Sequence, residues 1–293
     1  MGERIVVVGG VELCLEEFGE SGRPGVVLIA GAAMSGDWWD DEFCQALADG
    51  GFRVVRYDLR DTGRSLTRPL GQADYTGDDL VADLAGVIIQ LGIAPAHLVG
   101  LSLGGGLAQQ LAIAHPELVA SLALLSTSLG GPGSEGLPAM EPGFAEGLEN
   151  AEAPDWSSAD AAFRTFVAGE ELFAGDIPVD PARIRRISDR VFERSIDLAA
   201  AANHWSIASA SGSRAELATI VAPTLVVHGT ADPLFPIGHG EALAREIPHA
   251  RLLPVPGMGH QVPPPETWPL VVPALIEHAR ASELDHSPDP GQQ

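Results

Sequence analysis

The 293-residue chain contains no lysine; its seventeen basic residues are all arginine. That excludes lysine Schiff bases, an anchor for pyridoxal phosphate and a Walker phosphate loop. Cysteine is nearly absent, and Cys14 and Cys44 are too few and too isolated for a disulfide framework or a cysteine metal site. No apolar run approaches the ~20 residues of a membrane span. Near the amino terminus the short run Ile5 to Val8 before Gly9-Gly10 falls far short of a signal-peptide core. Basic charge is scarce against 40 acidic residues, leaving a formal charge of -23. This balance disfavours nucleic acid and anionic membrane as partners; it favours a neutral or cationic small molecule, and most simply serves solubility. Together these absences predict a soluble cytoplasmic protein. A chain of this length can bury roughly three quarters of its unfolded surface without cross-links or metals.

What is present centres on Ala96 to Gly106. A short apolar run, His97-Leu98-Val99, leads into Gly100-Leu101-Ser102-Leu103-Gly104, and an apolar-periodic segment from Leu107 to Val119 follows at once. Strand, sharp turn and helix around Gly-x-Ser-x-Gly are the setting of a nucleophile elbow. Gly100 and Gly104 flank the serine because a Cβ at either position would meet neighbouring backbone. The helix that begins after the turn directs its free N–H groups and positive dipole end toward charge developing beside the hydroxyl.

Along the chain, a hairpin over Ile5 to Glu16 precedes a strand at Val26 to Ala30, another at Phe52 to Tyr57, a helix at Asp78 to Leu91, the strand under the elbow and a strand at Ser121 to Leu125. Strands alternating with helices predict parallel βαβ units, an α/β fold with a mostly parallel central sheet flanked by helices. At Ser126 the alternation stops. Residues 128–219 are first rich in glycine and proline and then helical in pattern, until strands return at Thr224 to Val227 and Arg251 to Val255. The chain thus divides into a core, 1–127 and 220–283, a mainly helical cap, 128–219, inserted after the sixth strand, and a disordered tail, 284–293.

A serine nucleophile needs a base, and the base needs an orienting acid. Asp232 follows the Thr224 to Val227 strand, and His260 follows the Arg251 to Val255 strand, both just past the carboxyl edge where a parallel sheet gathers its site. The order Ser102, Asp232, His260 is the one expected with such an elbow. Asp232 before Pro233 also fits a turn or helix cap, and His228 and His239 are rival bases; His97 and His249 fall at the opposite edge. Two N–H donors for an oxyanion are expected from Leu103 and, in the loop after Ala30-Gly31, from Ala32. Asp58, Asp61 and Ser65 read as a turn bracing that loop. Met34, Trp38, Trp205 and Met258 are the candidate pocket side chains, whereas Trp156, Phe163, Phe166 and His204 read as the packed interior of the cap. Gly131 to Gly136 matches Gly-x-Gly-x-x-Gly, but no helix opens from it and dinucleotide binding is rejected.

These motifs resemble the α/β-hydrolase family over nearly the whole chain. More narrowly, the chain is similar to methylesterases of the aclacinomycin type through Glu3 to Val6, Arg56-Tyr57-Asp58, Arg60 to Ser65, Val99 to Ser102 and Pro256 to His260. The resemblance implies Ser102 as nucleophile, His260 as base, Asp232 as its orienter, Ala32 and Leu103 as the oxyanion hole, no cofactor, and hydrolysis of a methyl ester on a bulky polyketide-like substrate. Many members carry His-Gly where Ala30-Gly31 stand here. The same triad would serve a lactonase or a carbon–carbon bond hydrolase, and the scaffold also fits a non-catalytic ligand-binding protein.

Overall fold

Apolar runs without a polar break become strands covered on both faces. In a computed structural model, which describes residues 2–129, 136–210 and 213–285, such runs form most of one eight-stranded sheet: β1 (Arg4–Val8), β2 (Val11–Phe18), β3 (Gly25–Ile29), β4 (Arg53–Tyr57), β5 (Ala96–Leu101), β6 (Val119–Leu125), β7 (Thr224–Gly229) and β8 (Arg251–Val255). The spatial order is β1-β2-β4-β3-β5-β6-β7-β8. β2 pairs antiparallel with β1 and β4, and all later pairings are parallel.

The helices are α1 (Asp41–Asp49), α2 (Gly77–Leu91), α3 (Leu103–Ala114), α4 (Pro142–Glu149), α5 (Ala159–Phe173), α6 (Pro181–Arg194), α7 (Gly238–Glu246) and α8 (Trp268–Asp285). Because side chains alternate along a strand, the sheet has two cores. Val27 and Ile29 face Leu84 and Ile88 of α2 and Leu107 and Leu111 of α3. Val26 and Leu28 face Phe43 and Leu47 of α1 and Val271 and Leu275 of α8.

Strand order reverses between β3 and β5, since β4 lies on one side of β3 and β5 on the other. A crevice opens at such a reversal, outside the carboxyl ends of the strands. Ile29 is in register with Gly100, Leu101 with Leu125, Leu125 with Val227, and Gly229 with Val255. The turns after β3, β5, β7 and β8 therefore emerge along one edge, and these carry Ala32, Ser102, Asp232 and His260.

Between β6 and β7 lie α4, α5, α6 and a 3-10 helix at Ala199–Trp205. Their sequence explains how they dock. On α6, Ile184, Ile187 and Val191 join the core that holds α1 and α8, and on the same side three arginines meet core acids. Arg183 lies 2.7 Å from Asp40, Arg190 lies 2.6 Å from Asp37, and Arg194 lies 2.9 Å from Asp58.

One expectation needs adjustment. α8 extends through Leu284 to Asp285, the first two residues assigned to the tail, because Ala281-Ser282-Glu283 offers no glycine or proline to stop it. Residues 286–293 lie outside the described residues, as does most of the Gly131 to Gly136 pattern. Among the described residues no helix is long and apolar enough to cross a membrane.

Candidate active site

The elbow is as tight as its glycines require. A Cβ on Gly100 would stand 2.4 Å from the Gly104 carbonyl oxygen, and one on Gly104 would stand 2.4 Å from that of Ile29. Ser102 takes φ +50°, a conformation costly for a residue with a side chain. Two hydrogen bonds to its backbone hold it: its N–H donates to Leu125 O at 3.0 Å, and the Thr127 hydroxyl donates to its carbonyl at 2.7 Å.

The turn carries the hydroxyl to the imidazole. Ser102 Oγ is 2.9 Å from His260 Nε2, and His260 Nδ1 is 2.9 Å from Asp232 Oδ2. The other carboxylate oxygen, Oδ1, accepts the N–H groups of Leu234 at 3.0 Å and Phe235 at 2.8 Å. Asp232 therefore has a fixed orientation as well as a charge. His260 is held edge-on by Phe235 and from a second side by Phe173 of α5, and its N–H donates to Phe173 O at 2.8 Å.

His228, a rival in the sequence, has a different place. Its Nε2 is 2.7 Å from Phe235 O and 3.6 Å from Asp232 Oδ2. Burial pushes its imidazole below the usual range, so it is neutral and donates to Phe235 O, bracing the turn that orients Asp232. His239 bonds Ser128 and the Pro138 carbonyl. Neither reaches Ser102.

Leu103 is the first residue of α3, where an N–H has no partner within its own helix. The loop after β3 lies against the serine, for a Cβ on Gly31 would stand 3.6 Å from that of Ser102. Ala32 and Leu103 both border the same cavity as Ser102. The loop is held in two ways. Asp58 Oδ1 accepts the Gly36 N–H at 2.8 Å, and Asp61 accepts from Tyr75, Arg68 and Asn203, which makes the turn after β4 a brace.

The second hold comes from His204, which sequence reasoning placed in a packed interior. Ala33, at φ +61°, donates its N–H to His204 Nδ1 at 3.0 Å, while His204 Nε2 lies 2.8 Å from Arg60 O. The two bonds fix one tautomer, Nε2–H donating and Nδ1 accepting. Burial pushes this imidazole down and so keeps it neutral.

Ser102 sits between two chambers. One, of about 300 Å³, is bordered by Met34, Trp38, Phe166, Phe173 and Glu170. The other, of about 330 Å³, spreads over α3 from Leu103 to Gln110. Trp205, 65 % exposed, borders both. Met258 is the correction among the pocket candidates: it is 0 % exposed and packs in the core. Its backbone is pressed onto β7, where a Cβ on Gly229 would stand 2.0 Å from Met258 O, and this turns the side chain inward. Two polar residues escaped the sequence reading, Glu170 and Gln110, both more than nine-tenths buried. Burial pushes the Glu170 carboxyl up to about 7.

Compared with known proteins, residues 24–264 match the α/β-hydrolase fold family. The chain belongs to the α/β-hydrolase family. Among curated α/β-hydrolase relatives, the chain is 30% identical to rhodomycin D methylesterase DauP of Streptomyces sp. (strain C5), with 97% of this chain and 100% of the relative covered. Among solved structures it is similar to the enol-lactonase from Burkholderia xenovorans LB400, with 25% identity, a TM-score of 0.66 and coverage of 96% of this chain and 100% of the other. A meta-cleavage product hydrolase from Pseudomonas fluorescens IP01 shares the fold, with a TM-score of 0.72 at 21% identity and coverage of 95% and 98%.

Proposed function

We propose that the chain is a cofactor-free serine esterase that removes a methyl ester from a bulky substrate, with Ser102, His260 and Asp232 as its triad. The observation that carries this is the unbroken line of hydrogen bonds from Ser102 through His260 to Asp232, each 2.9 Å long. His260 Nε2 accepts the Ser102 proton as Oγ attacks the ester carbonyl, and Asp232 stabilises the imidazolium so formed. The carbonyl oxygen becomes an oxyanion, which the Ala32 and Leu103 N–H groups receive. His260 then returns the proton to the departing alcohol, and a water activated by the same imidazole releases the acid. The inserted helices act as a cap, supplying Phe173, Glu170, His204 and Trp205 to the walls of the site.

The methyl ester and the bulky acid are supported by the likeness to rhodomycin D methylesterase over the full length of both chains, and by chambers on both sides of the serine. A second reading is favoured by the likeness to an enol-lactonase: a lactone is a cyclic ester, opened by the same steps with the alcohol retained in the product.

Ser102→Ala removes the nucleophile and leaves the elbow glycines untouched. Turnover of a p-nitrophenyl ester is expected to fall on the order of 10⁴-fold or more, with the circular dichroism spectrum unchanged. Wild-type turnover in that variant would refute the proposal. Mass analysis of the products separates the two readings: methanol and a free acid from a methyl ester, or a single hydroxy acid from a lactone.

A further inference from the structure

The loop after β3 makes a four-residue turn, Gly31-Ala32-Ala33-Met34, closed by the Met34 N–H donating to Gly31 O at 3.3 Å. Ala33, at the third position, has φ +61°. That is the pattern of a type II turn, which ordinarily places glycine or asparagine there. Ala33 has a Cβ and no polar side chain, so the left-handed conformation costs it about as much as one hydrogen bond returns. A type I turn closes the same four residues without that cost. It differs by rotation of the central peptide, the Ala32 C=O with the Ala33 N–H, through about half a turn.

One contact selects the costly form. The Ala33 N–H donates to His204 Nδ1 at 3.0 Å, and His204 Nε2–H donates to Arg60 O at 2.8 Å, so the ring presents an acceptor to this peptide and is held from its other side. The neighbouring Asn203, wholly buried, donates to Asp61 Oδ2 at 2.8 Å and accepts the Gly71 N–H at 2.7 Å. That ties the short helix carrying both residues to the core. In the rotated peptide the Ala32 carbonyl would face the lone pair of Nδ1, acceptor against acceptor. His204 and Ala32 also border the chamber that holds Ser102.

We propose that His204 is a positioning residue for catalysis, holding the Ala32–Ala33 peptide in the orientation that aims the Ala32 N–H at the oxyanion. This rests on the esterase reading above, in which Ala32 is one of the two oxyanion donors. The Ala32 N–H and the carbonyl that accepts from Met34 belong to one peptide unit, so this turn sets the direction of the donor. Rotation of the next peptide changes ψ of Ala32 and relaxes the turn around it. The oxyanion forms only during acylation and deacylation, so a loosened donor lowers kcat and leaves KM in place. A residue of the cap, 171 positions along the chain from Ala33, thereby takes part in the chemistry of the core.

Substitutions at two positions test this with p-nitrophenyl acetate. In His204→Asn, Oδ1 stands as many bonds from Cα as Nδ1 does and can accept the Ala33 N–H. In His204→Gln, the carboxamide reaches to the Nε2 position and that acceptor is lost. His204→Gln should lower kcat about 10-fold, a net loss of about one hydrogen bond, with KM unchanged. His204→Asn should keep most of kcat. Adding Ala33→Gly to His204→Gln should recover most of the loss, because glycine holds a positive φ without the contact.

Equal losses in the Asn and Gln variants, a rise in KM at constant kcat, or a double variant no faster than His204→Gln overturns the proposal. Where the Gln variants fail to fold, Ala33→Val decides. A β-branched residue strains the turn with His204 in place, so kcat should fall at constant KM, and unchanged kcat overturns the proposal. Failure of the esterase reading is seen separately, as p-nitrophenyl acetate turnover that persists in Ser102→Ala.

Discussion

Glu170 shows how one buried residue ties the site to solution conditions. The residue borders the chamber that also holds Trp38, Phe166 and His260. Burial raises it from 4.5 to about 7, against the opposing pull of Arg183 and a hydrogen bond with Gln261. For an acid raised on folding, the folded state holds the proton more tightly than the unfolded state. The resulting stability is complete below 4.5 and is lost as pH rises to about 7. Between those limits the wild type should lose about 3 kcal/mol relative to Glu170→Gln, which stays neutral throughout. Urea unfolding of both proteins at several pH values measures the gap, and a gap that does not change with pH contradicts the assignment. The same protonation keeps a charge out of a largely apolar wall.

At the scale of the element, α6 is the main clamp between the inserted helices and the core. The acidic chain holds few cations, and α6 carries five of its seventeen arginines. Arg183 and Asp40 are almost wholly buried and make three hydrogen bonds. Taking one partner away leaves the other charged and unpaired. Arg183→Met should therefore cost ~3–5 kcal/mol, and adding Asp40→Leu should recover most of that loss. Additive destabilisation in the double variant, read from urea unfolding, would show that the pair is not coupled.

Clamping matters for chemistry because the same insertion delivers His204 to Ala33. A displaced cap would release the loop that carries Ala32. None of this coupling was legible in the sequence, since Arg183 and Asp40 stand 143 residues apart and Ala33 and His204 stand 171 apart, without a motif to join them. The strands and the elbow were legible because they are local: unbroken apolar runs, a glycine on each side of the serine, and the chain order of serine, acid and base. Gln110 was missed for a third reason. A glutamine on a helix reads as solvent-facing, yet α3 is covered along most of its length, and only the neighbours Leu107, Ala108, Leu111 and Ala112, all buried, gave a hint. Met258 misled in the opposite sense, because Gly257 and Gly259 allow a turn that faces the core.

For the whole molecule, the sheet and the insertion have separate tasks. Every parallel strand that bears a candidate residue ends at one edge, so the sheet fixes the distances between Ser102, Asp232 and His260 to within hydrogen-bonding reach. The insertion closes over that edge and supplies Phe173, Glu170, His204 and Trp205 to the walls of the chambers beside Ser102. Reaction of the folded protein with a serine-directed fluorophosphonate, followed by intact mass and peptide mapping, tests the assembled site most directly, because the reagent requires an activated hydroxyl beside oxyanion donors and no particular acyl group. The account predicts a single adduct, on Ser102, and none in the Ser102→Ala variant. An unmodified protein, or an adduct on another serine, would contradict it.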